Sequence, residues 1–518
     1  MNYTPEIYLH ALKLMGPEIV LVVAIVFAAL WNICSPRQRA MTPVVSIGLI
    51  IVATLMLAQQ FSLPRQMLFP TPDGAAGLFT VDKLTAAFGL MSCIFGGMVV
   101  LMTMGYEFHF KQNRGEYYAL LLTSVLAVIL AAGSTDLVML FVSLETLTLA
   151  GVLLSGFAKR DRRSNEASLK YLLSTAATTA TFLYGLSFLY GLGYSTNYYE
   201  IASALAVKAQ SPSIAVVLVL ILMLSIIGFK LSLVPFHMWT PDVYEGAPTP
   251  VSAYLSVISK MGGLVVAIRV LDGIFGASVA QWAPIVAILA MLSMIAGNFI
   301  ALAQTSLKRM LAYSSIAHVG YMLIGLVANT GDGLAAMVFY MIVYGFMNLG
   351  AFTGAVLFEN ETGSDNIEDM AGLIRKRPWL AVGLSICLLN LGGLPVPPAG
   401  FLAKVFVFWA GFQMATPLGY WLVAIALLTS VPALYYYTRV VIMMAVRDPS
   451  EKVATLPEDR HLVPESAAPT NLALMIAVAG VVVGTLAVNP LMTFSGQSVA
   501  GMGRPMTNVG TLPNSEAR

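Results

Sequence analysis

Charge is scarce in this sequence: Asp, Glu, Lys and Arg together make up 10% of its 518 residues, where a soluble globular chain carries roughly 25%. With 58% of the residues hydrophobic, no water-dispersed domain of this composition would stay in solution. The mean hydropathy of +0.81 comes from apolar runs along most of the length, which also excludes a soluble domain on a single anchor. Cysteine is rarer still. Cys34, Cys93 and Cys387 stand singly in apolar stretches with no CxxC spacing, so neither a disulfide frame nor an iron–sulfur site is indicated and all three read as packing residues. Also missing are a G-x-G-x-x-G at a strand-to-helix turn, a P-loop and any metal-ligand spacing, so cofactor chemistry must reside in other chains. A net charge of +2 is too small to attract nucleic acid.

The apolar runs themselves predict an all-α integral membrane protein. At about 20 apolar residues per spanning helix, they make about fourteen transmembrane helices, from Pro17–Cys34 to Asn471–Pro490. The first run follows a weakly charged start and leads straight into further spans, so it reads as a retained helix rather than a cleaved signal. An even count puts both termini on one side of the bilayer. The clusters Arg37 and Arg39, Lys111 and Arg114, Lys159 to Arg163, Lys308 and Arg309, Arg375 to Arg377, and Arg447 with Lys452 fall in alternate loops. Those loops are therefore expected on the cytoplasmic or stromal face and the termini on the periplasmic or lumenal face.

Two spans depart from the pattern. The seventh, about Ile214 to Tyr244, and the twelfth, about Trp379 to Met414, are long and carry proline near the middle. Pro235 frees the carbonyl of Leu231, and Gly392, Gly393, Pro395, Pro397 and Pro398 rule out a continuous twelfth helix, so helices 7 and 12 are expected to be broken. Backbone groups unpaired at that depth require a polar cavity. The breaks lie about five spans apart, an odd offset, which suggests two inverted five-helix repeats of the kind found in secondary transporters. The expected organisation is residues 1–115 (helices 1–3), 116–272 (first repeat), 273–446 (second repeat) and 447–518 (charged loop, last helix and polar tail). The stretches long and polar enough to lie outside the membrane are Gln60 to Phe79, Glu359 to Arg377, Arg447 to Pro464 and the tail after Ser495, and none is a catalytic domain.

The intramembrane charges are therefore the functional candidates. Glu145 in the fifth span, Lys230 in the seventh, Lys260 in the eighth and Lys404 just past the break of the twelfth fall near span midpoints. Each such charge costs at least about 2.5 to 3.5 kcal/mol on insertion scales, a heavy burden if the charges merely held helices together. A buried lysine loses part of its preference for the charged form and a nearby carboxylate restores it, so such a pair can load and unload protons. At an effective dielectric of about 20, a Glu–Lys pair at about 4 Å is worth roughly 4 kcal/mol, and opening it to about 8 Å loses about 2 kcal/mol. That loss is close to the roughly 2.3 kcal/mol needed to move one charge through 100 mV; the natural candidates are Glu145 and Lys230. His318, mid-way along the tenth span, and His237, two residues past Pro235, are candidate relays, because a neutral imidazole accepts a proton at one nitrogen while releasing one from the other. Lys170, near the start of the sixth span, is close enough to the interface to snorkel. Asp136 and Glu107 near span ends read as solvated or structural, as do Asp242 and Glu245 ahead of Thr249 and Pro250, which look like the cap and first residue of the eighth helix.

The segment GFKLSLVPFHMWTPDVYEGAPTPVSAYLSVISK, Gly228 to Lys260, closely resembles the signature of the antiporter-like subunits of complex I. SLKRMLAYSSIAHVGYMLIGL (Ser306 to Leu326) and SNEASLKYLL (Ser164 to Leu173) are similar to the subunit 2 branch of that family, the second of them also to its cyanobacterial and plastid form. The resemblance covers roughly helices 3 to 13. It implies a proton path through Glu145, Lys170, Lys230, Lys260 and Lys404. It also implies no redox centre in this chain, with flavin, iron–sulfur clusters and the quinone site in neighbouring subunits, and further antiporter-like subunits and the bilayer as partners. The implied activity is proton translocation by a quinone oxidoreductase of the cytoplasmic or thylakoid membrane. A multisubunit cation/proton antiporter without a redox partner is the alternative on the same fold. One departure stands out: where the family often has GLPPLAGF at the twelfth-helix break, Gly393 to Phe401 reads GLPVPPAGF, one residue longer, which leaves the distance of Lys404 from the break open.

Overall fold

A computed structural model describes residues 5–34, 41–70, 77–106, 114–208, 214–457 and 467–500. Arg37, Arg39, Glu107, Lys111 and the tail from residue 501 lie outside the described residues. Nearly all of the described chain is helical, as expected where the backbone must satisfy its own hydrogen bonds in hydrocarbon. Twelve described helices are long and apolar enough to cross a membrane, and Gly16–Trp31, Pro378–Gly392 and Ala399–Gln413 are shorter apolar helices. The chain divides into two compact units, one of Met1–Trp282 with Ala355–Gly363 and His461–Ala473, the other of Ala283–Gly354, Ser364–Arg460 and Leu474–Arg518.

In the first unit, helix Leu137–Ser155 starts on Asp136, whose carboxylate accepts the Val138 amide at 2.8 Å and the Thr196 hydroxyl at 2.5 Å. Its role is structural, a side chain satisfying helix-end donors. Asp161 caps the long helix Arg162–Gly193 in the same way. The polar loop after Phe61 is not featureless, because Gln66–Pro70 and Gly77–Val81 pair as an antiparallel hairpin with Gln66 opposite Val81 and Leu68 opposite Phe79. Leu68, Phe79 and Val81 face Ala11 in a small core. Helix Pro5–Leu14, which supplies Ala11, is a further element that the apolar runs do not predict.

The seventh span breaks as expected: helix Ile214–Leu231 stops, Ser232 takes φ 58°, and a second helix runs Trp239–Gly246. The break is tied by the Leu233 amide on the Gly228 carbonyl at 2.8 Å and the Thr240 hydroxyl on Ser232 at 2.8 Å. The eighth helix starts one residue earlier than the sequence suggested. Pro248, not Thr249, is the cap, since the Pro248 carbonyl accepts the amides of Val251 and Ser252, which leaves Thr249 and Pro250 as the first two helical residues. This span is buried from Thr249 to Leu271, and it is irregular: Leu255–Ser259 and Ile268–Ile274 are π-helical. Each π turn inserts an extra residue and re-aims the side chains after it. Lys260 follows the first π segment and Arg269 lies in the second.

Helix Gly331–Thr362 extends past Glu359, so that residue is not in a loop. Its carboxylate accepts the hydroxyls of Tyr106, at 3.2 Å, and of Thr249. In the second unit, Ser306 caps helix Leu307–Val327 while donating to Asp365 at 2.5 Å. The last apolar stretch is interrupted at Ala487, giving helices Ala468–Leu486 and Val488–Val499 rather than one span to Pro490.

Candidate functional site

The break in the twelfth span is built by a glycine-terminated helix end. Helix Pro378–Gly392 ends at Gly393, φ +88°, whose amide reaches the Asn390 carbonyl at 2.9 Å while the Leu394 amide reaches Leu389 at 3.0 Å. That paired pattern closes a helix on a left-handed residue, where glycine carries no Cβ penalty. The chain re-enters as helix Ala399–Gln413. Asn390 ties the two halves together, its side chain donating to the Val396 carbonyl at 3.3 Å and accepting the Gly400 amide at 3.2 Å. A Cβ at Gly400 would fall 2.1 Å from the Asn390 carbonyl oxygen, so only glycine fits. Despite the extra loop residue, Lys404 reaches back to the break: its Nζ donates to the Gly392 carbonyl at 2.8 Å and lies 5.2 Å from the centroid of the Tyr321 ring. The carbonyl end of a half-helix carries negative partial charge, which suits an ammonium group.

His318 sits in the same unit, 2% exposed, with Nδ1 2.8 Å from the Tyr340 hydroxyl and Nε2 3.3 Å from the Tyr437 hydroxyl. Both ring nitrogens thus have hydroxyl partners, the arrangement a relay requires. Beside it, Tyr321 accepts from Asn298 at 2.8 Å and shares a 3.3 Å contact with Thr429, and Tyr436 donates to Asn298 at 3.2 Å. None of these tyrosines stands out in the sequence, where each reads as membrane packing. The one usable signal was the i, i+3 spacing of His318 and Tyr321, which places them on one helix face.

In the first unit, Lys230 and Lys260 are 1% and 2% exposed. Lys230 is the last basic residue before the break. It packs against the eighth span so closely that a Cβ at Gly263 would stand 2.9 Å from its own Cβ. Glu145 and Lys230 do not form the contact pair suggested above. The Glu145 carboxylate accepts the Thr179 hydroxyl at 2.6 Å, and the Lys230 ammonium has no hydrogen-bond partner among the described residues. Around the ammonium-bearing helix, Phe229, Trp239 and Tyr171 stack, with 4.4 Å between the Tyr171 and Trp239 centroids. His237 lies half-buried in the turn of the break, and its Nδ1 has no hydrogen-bond partner among the described residues.

Lys170 stands apart from the buried lysines. Its ammonium is on Asp242 at 2.8 Å and Glu166 at 2.9 Å, with 44% of the side chain exposed. These groups, with Arg163 and Glu245, line a cleft of about 200 Å³. Among the described residues no group of three or more His, Cys, Asp or Glu could hold a metal ion. Cys93 and Cys387 are buried and Cys34 is exposed.

Residues 134–431 match the family model described as NADH:quinone oxidoreductase/Mrp antiporter, transmembrane. The "NAD(P)H-quinone oxidoreductase subunit 2" of Acaryochloris marina is 43% identical over 503 residues, 96% of this chain and 94% of that one. The chain belongs to the NADH:quinone oxidoreductase/Mrp antiporter family. Within that family, the protein of the same name from Trichodesmium erythraeum is 47% identical over 86% of this chain and 84% of its own length. A chain of respiratory complex I from Thermus thermophilus superposes with a TM-score of 0.73 at 29% identity, covering 93% of this chain and 99% of that one. A chain of the Mrp complex from Dietzia sp. shares the family fold, with a TM-score of 0.80 at 19% identity over 95% and 97% of the two chains.

Proposed function

We propose that this chain is a proton-translocating membrane subunit of a complex I-like quinone oxidoreductase, its proton path formed by Glu145, Lys170, Lys230, Lys260, Lys404, His237 and His318. The observation that carries this reading is the burial of three lysines, Lys230, Lys260 and Lys404, at 1%, 2% and 5% exposure, each on a broken or irregular helix. Their insertion costs at least about 2.5 to 3.5 kcal/mol apiece, which packing alone does not justify. The names of the relatives favour the redox-coupled reading over a cation/proton antiporter.

In this reading residues 116–272 and 273–446 are two inverted repeats that act as half-channels, each with one broken helix. Electron transfer to quinone takes place in partner subunits that hold the quinone site, iron–sulfur clusters and flavin. Further antiporter-like subunits adjoin this one in the bilayer. The Lys/Arg-rich loops favour termini on the periplasmic or lumenal side of a bacterial cytoplasmic or thylakoid membrane. Lys170, on its exposed ion pairs, takes protons from the basic face. Glu145 sets how strongly Lys230 holds a proton, and its hydrogen bond to Thr179 supplies a second position for the carboxylate when the lysine is empty. His318 passes protons between the Tyr340 and Tyr437 hydroxyls, one nitrogen accepting as the other releases.

Glu145→Gln should slow redox-driven pumping on the order of tenfold, because an opposite charge within about 8 Å contributes about 2 kcal/mol at an effective dielectric of about 20. Glu145→Asp keeps the charge and should be milder. Equal pumping by the Gln and Asp variants in assembled complexes would rule out control of Lys230 by charge. The assignment itself is tested by purifying the intact complex through a tag on this chain. Peripheral subunits bearing iron–sulfur clusters are expected to copurify, whereas recovery of antiporter subunits alone, without redox centres, would favour the antiporter reading.

A further inference from the structure

Lys404 is held from two sides, and only one of them belongs to the break. The Gly392 carbonyl takes one ammonium proton. The face of Tyr321, 1% exposed, lies on another side. The ring has little freedom: Asn298 donates to its hydroxyl, Thr429 touches it, Phe408 packs edge-on at 5.8 Å and His318 edge-on at 5.9 Å. Asn298 is fixed in turn by the Met294 carbonyl at 2.8 Å and by the Tyr436 hydroxyl. A desolvated ammonium over an aromatic face is attracted by the ring quadrupole, and a ring clamped at its hydroxyl fixes where that attraction acts. Gly393 leaves the space this needs, since a Cβ there would come within 3.1 Å of the Lys404 ammonium.

We infer that Tyr321 is a positioning residue for Lys404, its ring face holding the ammonium against the Gly392 carbonyl and aligning it with His318. This rests on Lys404 being a proton carrier. The ring performs the positioning and the hydroxyl only orients the ring. Replacing the ring therefore removes the effect, whereas removing the hydroxyl largely spares it.

The test uses the intact complex carrying Lys404→Ala, Tyr321→Leu, Tyr321→Phe or the Lys404→Ala/Tyr321→Leu pair, with protons moved per electron as the readout. Tyr321→Leu is expected to lose most of the pumping that Lys404→Ala loses, Tyr321→Phe to keep most of it, and the pair to be no worse than Lys404→Ala alone, as for two residues acting through one contact. If Lys404→Ala is defective but Tyr321→Leu pumps normally, or if the two losses add, the inference is overturned while the proton path stands. Normal pumping by Lys404→Ala would overturn both. Should Tyr321→Leu not assemble, Asn298→Ala, which frees the ring without removing it, is measured in its place: partial loss that vanishes in the Lys404→Ala background supports the inference, and an additive loss overturns it.

Discussion

Lys230→Ala should abolish or sharply reduce redox-driven proton pumping while the subunit still inserts and the complex still assembles. The Lys230 ammonium is buried without a hydrogen-bond partner among the described residues, so removing it relieves an insertion cost of at least about 2.5 to 3.5 kcal/mol. Truncation also leaves a void where the buried stem lay beyond Cβ, and voids cost stability in proportion to their volume. Lys230→Met keeps that volume and should lose pumping equally, which separates the charge from the packing. The check is the proton-to-electron ratio of the assembled variants. A normal ratio in either one would remove Lys230 from the path.

Arg269→Ala should destabilise the first unit by about 3 kcal/mol, a value drawn from buried ion pairs that lose one partner. Arg269 contacts Asp82 at 2.7 Å with side chains only 7% and 10% exposed, and its guanidinium also donates to the Ala132 carbonyl at 2.7 Å and to Thr85 at 3.1 Å. Without it, Asp82 keeps the amide and hydroxyl of Thr85 but loses its cation. The loss should fall toward the lower end of the usual range because Arg65, which donates to Thr80, still acts on Asp82. Burial of Arg65 itself lowers its pKa, and Asp82 partly restores it. Replacing both partners, as Arg269→Met with Asp82→Leu, should recover most of the loss, since neither charge is then stranded. Thermal unfolding of the complex in detergent reads this. An Arg269→Ala variant as stable as the parent would show that the pair contributes nothing.

What the sequence disclosed follows from how local each signal is. Proline and glycine act on their own backbone, so Pro235 and the run from Gly392 to Pro398 gave away both broken helices. Mid-span lysines are legible because hydrocarbon makes them costly wherever they stand. Pairings distant in sequence left no such trace. Arg269 meets Asp82 across 187 positions, and the Glu359 carboxylate reaches Thr249 across 110. The hairpin from Gln66 to Val81 was hidden in a polar loop because two five-residue strands show too little alternation to stand out. The π segments beside Lys260 and Arg269 are also silent in sequence, being set by how the eighth span packs on all sides. The ring beside Lys404 is silent in sequence for a simpler reason. A tyrosine in a membrane helix reads as packing until its hydroxyl and its face are both seen to be occupied.

The central claim is that proton movement through this chain is driven by quinone reduction, and the most direct measurement is proton translocation by the intact complex in sealed proteoliposomes. Starting electron transfer to quinone should begin proton translocation across the vesicle membrane, a quinone-site inhibitor should stop it, and Lys230→Met should lower the protons moved per electron. Proton movement that instead requires an imposed sodium or potassium gradient, and is indifferent to quinone turnover, would contradict the account.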